Sequence, residues 1–268
     1  MESGNSNEDF CSYEINCESS SWLEDATNIF NTFGFVILKN SIPKLQIQDL
    51  HSKLLILIES DQISNNVRDI HFFSDGVVSS AHNLCDYLHA YSELAKINYI
   101  EKFIKNVYGD ISDSHFNSSY FAKPKFQGME TKPHQDNAFF CMEPANVATC
   151  WIPITFANRS NGGLYYYPKS FNIGNIEHLP QGNLGASMCI PDSTINTIAK
   201  IYPKEYIALE LGDCVIHNAL TIHGSDANCS EFDRNAFNFS FASENAVRNE
   251  YLFASYKNKL DAFLQRKK

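Results

Sequence analysis

The sequence has no apolar run long enough to cross a bilayer, no Cys-x-x-Cys pair, no internal repeat and no excess of basic residues. Each absence removes a class of protein. A membrane-spanning helix needs about 20 consecutive apolar residues, and none is present to expect one. Met1 to Asn7 is polar and acidic, so no apolar segment of a secretory signal is read there. The 21 Lys and Arg are outnumbered by 31 Asp and Glu, a net charge of -10. That balance argues against nucleic acid and anionic membrane as main partners, because both require a basic surface. The eight cysteines (Cys11, Cys17, Cys85, Cys141, Cys150, Cys189, Cys214 and Cys229) are scattered, several in apolar strand-like runs. They are expected to be free thiols of a reducing cytoplasm and not a disulfide framework. What remains is a globular composition, 44% hydrophobic, 13% aromatic and 19% charged, over 268 residues. That is enough chain for one sizeable domain with a buried core.

Along the chain, residues 1–20 are rich in Ser, Asn and Glu and are expected to be a flexible lead-in. Apolar residues then recur at helical spacing over 21–33 and 43–60, separated by the short buried strand Gly34-Phe35-Val36-Ile37-Leu38. Residues 61–79 read as irregular, and 81–108 as a further helical stretch. After about residue 110 short apolar or alternating runs follow one another between turn signals, the pattern of an antiparallel sandwich or barrel. Strands are expected at 116–123, 133–141, 146–156, 163–167, 205–210, 213–218, 220–223 and 235–243, with a turn at Asn161-Gly162. Residues 172–203, carrying Gly174, Gly182 and Gly185, read as a long loop able to close over a substrate. The expected architecture is mainly β with flanking helices: helical support over 21–110, a β core over 111–245 and a C-terminal helix over 246–268, all one domain.

The chemistry-bearing residues lie in two separated fragments, Pro133-His134-Gln135-Asp136-Asn137 and Ile222-His223-Gly224-Ser225, followed by Arg234. On an extended strand His134 and Asp136 share a face, because side chains alternate. A second imidazole from a distant strand completes two histidines and one carboxylate, which hold ferrous iron on one side and leave the other open. His217 competes with His223 for that place. His223 is preferred because it alone has both the following Gly-Ser and an arginine eleven residues on. Arg234 is suited to grip a carboxylate through two parallel hydrogen bonds, which makes 2-oxoglutarate the expected cosubstrate beside Fe(II) and O2. His71 and His178 are candidates to line a pocket, and Phe139, Phe140 and Tyr165 to Tyr167 to form an apolar wall.

These residues resemble the phytanoyl-CoA dioxygenase family of iron and 2-oxoglutarate oxygenases, over roughly residues 28–245. The resemblance rests on Phe33 to Asn40, His134 to Asn137, Trp151 to Ile154, Ser160 to Leu164, Pro168-Lys169-Ser170, Gly212-Asp213, His223 to Ser225 and Arg234. It implies a double-stranded β-helix, or jelly-roll, core of the cupin kind packed against N-terminal helices. It implies that His134, Asp136 and His223 are the catalytic iron ligands and that Arg234 pairs with the distal carboxylate of 2-oxoglutarate. The stretch Asn117 to Lys123 then lines the pocket; Trp151, Ser225, Ser119 and Phe121 face the cosubstrate, and Asn117, Phe140 and Gln135 the substrate. The family's Pro-Gly-Ser-His is here Pro168-Lys169-Ser170-Phe171, so no substrate contact follows from that histidine. Relatives that halogenate replace the metal-binding acid by a small residue; Asp136 is intact, which favours hydroxylation.

The expected reaction is therefore hydroxylation of an unactivated C–H bond of a small metabolite or natural-product intermediate, with release of succinate and CO2. Desaturation, epoxidation and cyclisation on the same ligand set stay open. So does a non-catalytic β-sandwich that only binds a small molecule, although that gives the triad and Arg234 no work. A zinc hydrolase leaves Arg234 equally unused. Neither substrate identity nor oligomeric state follows from the sequence.

Overall fold

The computed structural model describes residues 13–60, 70–73, 75–111, 117–180 and 188–265, and the statements below concern those residues. The chain opens with strand β1 (Glu14–Asn16), helix α1 (Trp22–Phe33), β2 (Phe35–Lys39) and α2 (Lys44–Glu59). Strands β3 (Ile70–Phe72) and β4 (Val78–His82) precede helices α3 (Leu84–Tyr87), α4 (His89–Ala95) and α5 (Asn98–Tyr108). Then come β5 (Asn117–Lys123), β6 (Thr131–His134), the short helix α6 (Asn137–Phe140), β7 (Met142–Glu143), β8 (Val147–Pro153) and β9 (Leu164–Tyr166). The last part holds β10 (Leu179–Pro180), β11 (Met188–Cys189), α7 (Asp192–Ile198), β12 (Glu205–Tyr206), β13 (Cys214–Asn218), β14 (His223–Ser225), β15 (Arg234–Ala242), β16 (Val247–Arg248) and α8 (Glu250–Gln265).

Two sheets face each other. The larger has strand order β1-β2-β13-β8-β15-β5-β4-β3, antiparallel except for the β1–β2 pair. The smaller has the order β12-β9-β14-β6. Alternation along β15 explains how one strand serves two cores. Phe237, Phe239 and Phe241 join Phe30, Tyr91 and Phe103 under the helices. Ala236 turns the other way, to Phe35, Trp151, Tyr166 and Val215 between the sheets. Every residue of β8 is buried, as a strand covered on both faces requires. This is the mainly β, jelly-roll architecture expected, with the N-terminal helices packed on the outer face of the large sheet.

Helix α1 buries Trp22, Ala26 and Phe30 along one stripe and stops at Gly34. Gly34 has φ +86°, and its N–H donates to the Phe30 carbonyl. A Cβ there would meet Thr221 Oγ1 at 2.3 Å, so glycine is needed for both conformation and space. Several sequence-based boundaries move. The lead-in is not loose throughout, since Glu14 to Asn16 pair with Ile37 to Lys39; residues 1–12 lie outside the described residues. The expected helix over 81–108 begins with the end of β4 and is broken at Leu88 and near Lys96, leaving three short helices. Part of the irregular segment 61–79 is strand: β3 and β4 extend the large sheet beyond β5. The long loop over 172–203 contains the β10–β11 pair and α7. Gly182 and Gly185 lie outside the described residues. Among the described cysteines all are free. No helix among the described residues is long and apolar enough to cross a membrane.

Candidate metal and cosubstrate site

Strand β6 ends at His134, and Asp136 sits in the turn that enters α6, with φ -61° and ψ -33°. The two do not share a strand face as expected. The turn after the strand end, held by the Phe139 and Phe140 N–H groups donating to the Asp136 carbonyl, brings the carboxylate back under the imidazole. His134 Nε2 lies 3.6 Å from Asp136 Oδ1. His223, at the start of β14, is the register partner of His134, and its Nε2 lies 3.5 Å from the same oxygen. His134, Asp136 and His223 offer donor atoms all within 4.8 Å of one another, and all three residues are buried.

The surrounding hydrogen bonds fix which atoms face the centre. His134 Nδ1 lies 2.8 Å from the Lys132 carbonyl and His223 Nδ1 lies 3.0 Å from that of Thr221. A carbonyl only accepts, so both Nδ1 atoms carry the proton and both Nε2 lone pairs point inward, the state a metal ligand needs. Asp136 Oδ2 accepts from Thr149 Oγ1 at 2.6 Å and from His217 Nε2 at 3.1 Å, which leaves Oδ1 for the centre. His217 Nδ1 in turn accepts from the Tyr166 hydroxyl at 3.0 Å. His217 and His223 stand on strands of opposite sheets, so strand alternation between them does not arise. His217 orients the carboxylate from behind.

Burial pushes the His134 and His223 imidazoles below their ordinary value, which keeps them neutral. For Asp136 burial alone would raise the carboxyl, but the facing imidazoles of His223, His217 and His134 hold it below the usual carboxylate range. Two neutral imidazole nitrogens and one carboxylate oxygen converging from rigid strands fit a divalent first-row metal with open positions, iron(II) in particular.

A cavity of about 690 Å³ opens from this centre between the sheets. Its inner end is lined by Lys123, Thr131, Trp151, Leu164, Ser225 and Arg234. Arg234 is 3% exposed; its Nε donates to the Gly162 carbonyl at 3.2 Å, and its guanidinium carbon lies 5.6 Å from the Trp151 ring centre. Burial lowers its pKa to about 10. Ser225 reaches the cavity because Gly224 lets β14 press close: a Cβ on Gly224 would meet the Thr131 carbonyl at 2.6 Å.

The outer end is lined by Asn117, Ser119 and Phe121 of β5, by His71 and His82, and by Phe139, Phe140, Tyr256 and Leu260. Ser119 Oγ donates to Asn117 Oδ1 at 3.1 Å and lies 2.8 Å from His82 Nδ1. Of the expected site residues, all but Gln135 line the cavity, but Ser119 and Phe121, expected to face the cosubstrate, line its outer end beside Asn117. Gln135 is turned away: its amide nitrogen donates to the Gly174 and Leu220 carbonyls and its oxygen accepts from Ile176 N–H, a cross-tie behind the metal turn. His178 lies there too, accepting the Gln135 N–H at 2.9 Å, so neither faces a substrate. Tyr166 stacks on Phe35, and Tyr165 and Tyr167 pack toward Ile190, Ile198 and Ile222, so the apolar wall is Phe139 and Phe140 without the tyrosines.

Sequence reasoning missed Thr149, Asn238, Tyr256 and Leu260, and reached Lys123 only as the end of the pocket-lining stretch Asn117 to Lys123. Asn238 Oδ1 is buried against this cavity without a hydrogen-bond partner among the described residues. It lies four residues beyond Arg234 on the same face of β15, a spacing that could have found it.

Fold and donor set together define a non-haem iron and 2-oxoglutarate oxygenase of the jelly-roll class. The family model of phytanoyl-CoA dioxygenase (PhyH) matches residues 30–236, and the chain belongs to that family, whose cofactors are Fe(II), 2-oxoglutarate and O2. It is 30% identical over 121 residues to phytanoyl-CoA dioxygenase 1 of Oryza sativa subsp. japonica, a match covering 44% of this chain and 41% of the rice protein. A probable phytanoyl-CoA dioxygenase of Caenorhabditis elegans is 22% identical over 252 residues, 86% of this chain and 78% of the relative. Among solved structures, EctD from S. alaskensis with 2-oxoglutarate and 5-hydroxyectoine superposes with a TM-score of 0.68 at 16% identity. That superposition covers 81% of this chain and 74% of EctD.

Proposed function

We propose that this chain is a cytoplasmic hydroxylase of a small metabolite or natural-product intermediate, acting on an unactivated C–H bond as a single catalytic domain. The observation that carries this reading is the shared cavity. One end holds two inward Nε2 atoms and one carboxylate oxygen, and beside them lies a buried arginine with no ion-pair partner among the described residues. His134, Asp136 and His223 would hold iron(II); Arg234 and Ser225 would hold the far carboxylate of 2-oxoglutarate against Trp151. When bound, the metal and cosubstrate supply the oxidising power: 2-oxoglutarate loses CO2 to become succinate as O2 is reduced, and one oxygen atom goes to the substrate.

The chain's own residues do the rest. Thr149 and His217 keep Oδ2 of Asp136 occupied, so its other oxygen stays aimed at the centre. Phe139, Phe140, Tyr256 and Leu260 shield the outer end from water. Asn117, Ser119 and His82 offer hydrogen-bonding atoms that orient a substrate. Apart from Asp136, the described carboxylate, lysine and arginine side chains lining the cavity are Lys123 and Arg234, both at the cosubstrate end. A substrate with hydroxyl or amide groups and an apolar face suits those walls better than a polyanionic thioester. EctD with 5-hydroxyectoine is a neighbour of this fold described with a hydroxylated small molecule.

The test has two stages. Anaerobic addition of Fe(II) and 2-oxoglutarate should give a weak charge-transfer band at roughly 500 nm, diminished in Asp136→Ala. Succinate release is then screened against a metabolite panel with mass detection. Gain of one oxygen atom supports hydroxylation, and loss of two hydrogens replaces it by desaturation or ring closure. Absence of the band in the wild-type chain sinks the assignment.

A further inference from the structure

A row of polar side chains crosses the large sheet and ends on the metal carboxylate. In register, Asn117 of β5 faces Ser240 of β15, Ser240 faces Thr149 of β8, and Thr149 faces His217 of β13. Two residues along β5, on the same face, Ser119 faces His82 of β4. Thr149 and His217 close the row on Asp136. At the other end Asn117, Ser119 and His82 line the outer part of the cavity. Thr149, Ser240 and Ser119 are wholly buried, so water does not replace a lost partner and each hydroxyl is satisfied within the protein.

The carboxylate gives this row a direction. An ionised carboxylate only accepts, so the single hydroxyl hydrogen of Thr149 goes to Asp136 Oδ2 at 2.6 Å. In the 3.2 Å contact between Ser240 Oγ and Thr149 Oγ1 the serine is therefore the donor. Ser240 Oγ is left to accept, and Asn117 Nδ2 donates to it at 3.4 Å. That turns the Asn117 amide oxygen the other way, where it accepts from Ser119 Oγ at 3.1 Å. With its own hydrogen given to Asn117, Ser119 Oγ can only accept from His82, so the His82 Nδ1 that lies 2.8 Å away carries a hydrogen. Five hydrogen bonds thus run one way, from the cavity wall to the metal ligand. Each hydroxyl has one hydrogen to give, so reversing one link obliges the next to reverse as well.

Resting on the reading of Asp136 as a metal ligand, we propose that Thr149, Ser240, Asn117 and Ser119 form a one-way relay that joins the outer wall of the cavity to the metal carboxylate. Thr149 and Ser240 are positioning residues. They fix which way the Asn117 amide faces and which nitrogen of His82 bears the hydrogen, and so the pattern of donors and acceptors that a substrate meets. The coupling is mutual, so a change at the wall is felt at Asp136. Two-bond proton–nitrogen NMR of the His82 ring at about pH 8, where an ordinary imidazole is neutral, should place the hydrogen on Nδ1 in both metal-free and Zn(II)-loaded wild-type chain. Thr149→Val takes away the acceptor of the Ser240 hydrogen. Ser240 then donates to the Asn117 amide oxygen, the amide and Ser119 reverse in turn, and the hydrogen moves to Nε2. Thr149→Ser should restore Nδ1, and Ser79→Ala, which removes a buried hydroxyl outside the row, should leave it there. In the opposite direction, Ser119→Ala should weaken Mn(II) binding, measured by calorimetry, by about twofold to threefold in the wild-type background and not in Thr149→Val. Hydrogen on Nε2 in the wild-type chain, or on Nδ1 in Thr149→Val, overturns the proposal. So does a Ser119→Ala effect that is absent or equal in both backgrounds. Should the Thr149 variants not fold, the position of the wild-type ring hydrogen decides. A wild-type chain that binds no Mn(II) overturns the ligand reading instead, and the ring hydrogen still decides the relay.

Discussion

The two ends of the cavity are built differently. At the inner end each metal-facing side chain is held from behind: His134 by Lys132, His223 by Thr221, and Asp136 by Thr149 and His217. The two histidines stand on strands of the smaller sheet and Asp136 in the turn after β6. The outer end is assembled from distant pieces, namely β4, β5, the turn helix α6 and the C-terminal helix α8. Helix α8 has no buried residue among those described, yet it sends Tyr256 and Leu260 into the cavity. A rigid end suits chemistry that does not change, and a loosely packed end suits a substrate that differs between relatives.

The comparison breaks most completely at Asp136. Asp136→Ala should lower 2-oxoglutarate turnover by about a thousandfold or more, because the metal loses its only anionic ligand and Thr149 and His217 lose their acceptor. Succinate release and Mn(II) binding measure it, and a variant keeping a tenth of wild-type turnover would refute the ligand role. A smaller break comes from Thr149→Val, which leaves the three donors in place but removes one of the two hydrogen bonds to Oδ2. Metal affinity should fall by about tenfold to a hundredfold, the usual cost of losing a partner behind a ligand. Unchanged Mn(II) affinity would show that His217 alone holds the carboxylate.

Much of the inner end was legible in the sequence, because strands buried on both faces read as continuous apolar runs. The β8 residues Val147 to Pro153, interrupted only by Thr149, and the β13 residues Cys214 to Ile216 are of this kind. The ligands were legible as residue types but not in their geometry. Nothing in His134-Gln135-Asp136 says that the strand stops at the histidine and that a turn carries the acid inward. Lys123 was legible only as the end of the pocket-lining stretch Asn117 to Lys123 and not as a buried charge: a lone lysine after a strand reads as solvent-facing, and only its pairing with Arg234 and the glycines around its stem reveal a buried cation. The outer wall escaped for another reason. Ser79, Ser80 and His82 put polar atoms where a strand pattern requires apolar ones, since they face a cavity.

The tie behind the metal turn carries a pH signature. His178 is buried, and its Nε2 accepts the Gln135 N–H, which a protonated ring cannot do. Burial chiefly lowers its pKa to about 4. A histidine depressed in the fold binds fewer protons than in the unfolded chain between pH 4 and its unfolded value. Its stability contribution is therefore complete above about pH 6.5 and is lost as the pH falls toward 4, up to about 3 kcal/mol. Denaturant unfolding of the metal-free protein between pH 7 and 4 should show this slope, and His178→Gln should flatten it. An equally steep profile in the variant removes His178 as the cause.

The smallest effect on the protein itself is expected at the outer end, and it sharpens the contrast most. Tyr256 meets Phe139 edge to face, with ring centres 6.0 Å apart, and this contact joins the exposed helix to the metal turn. Tyr256→Ala should change stability by about 1 kcal/mol or less, since an edge-to-face pair contributes about that and little area is buried. Mn(II) and 2-oxoglutarate affinities should not move, because the donor atoms are held by Lys132, Thr221, Thr149 and His217 and not by the helix. The KM for a substrate identified by the oxygen-gain screen should rise several-fold, at little cost in kcat, if the tyrosine only helps to enclose it. A fall in metal or cosubstrate affinity would mean that the helix braces the inner end as well, and the division between a fixed and an adjustable half of the cavity would not stand.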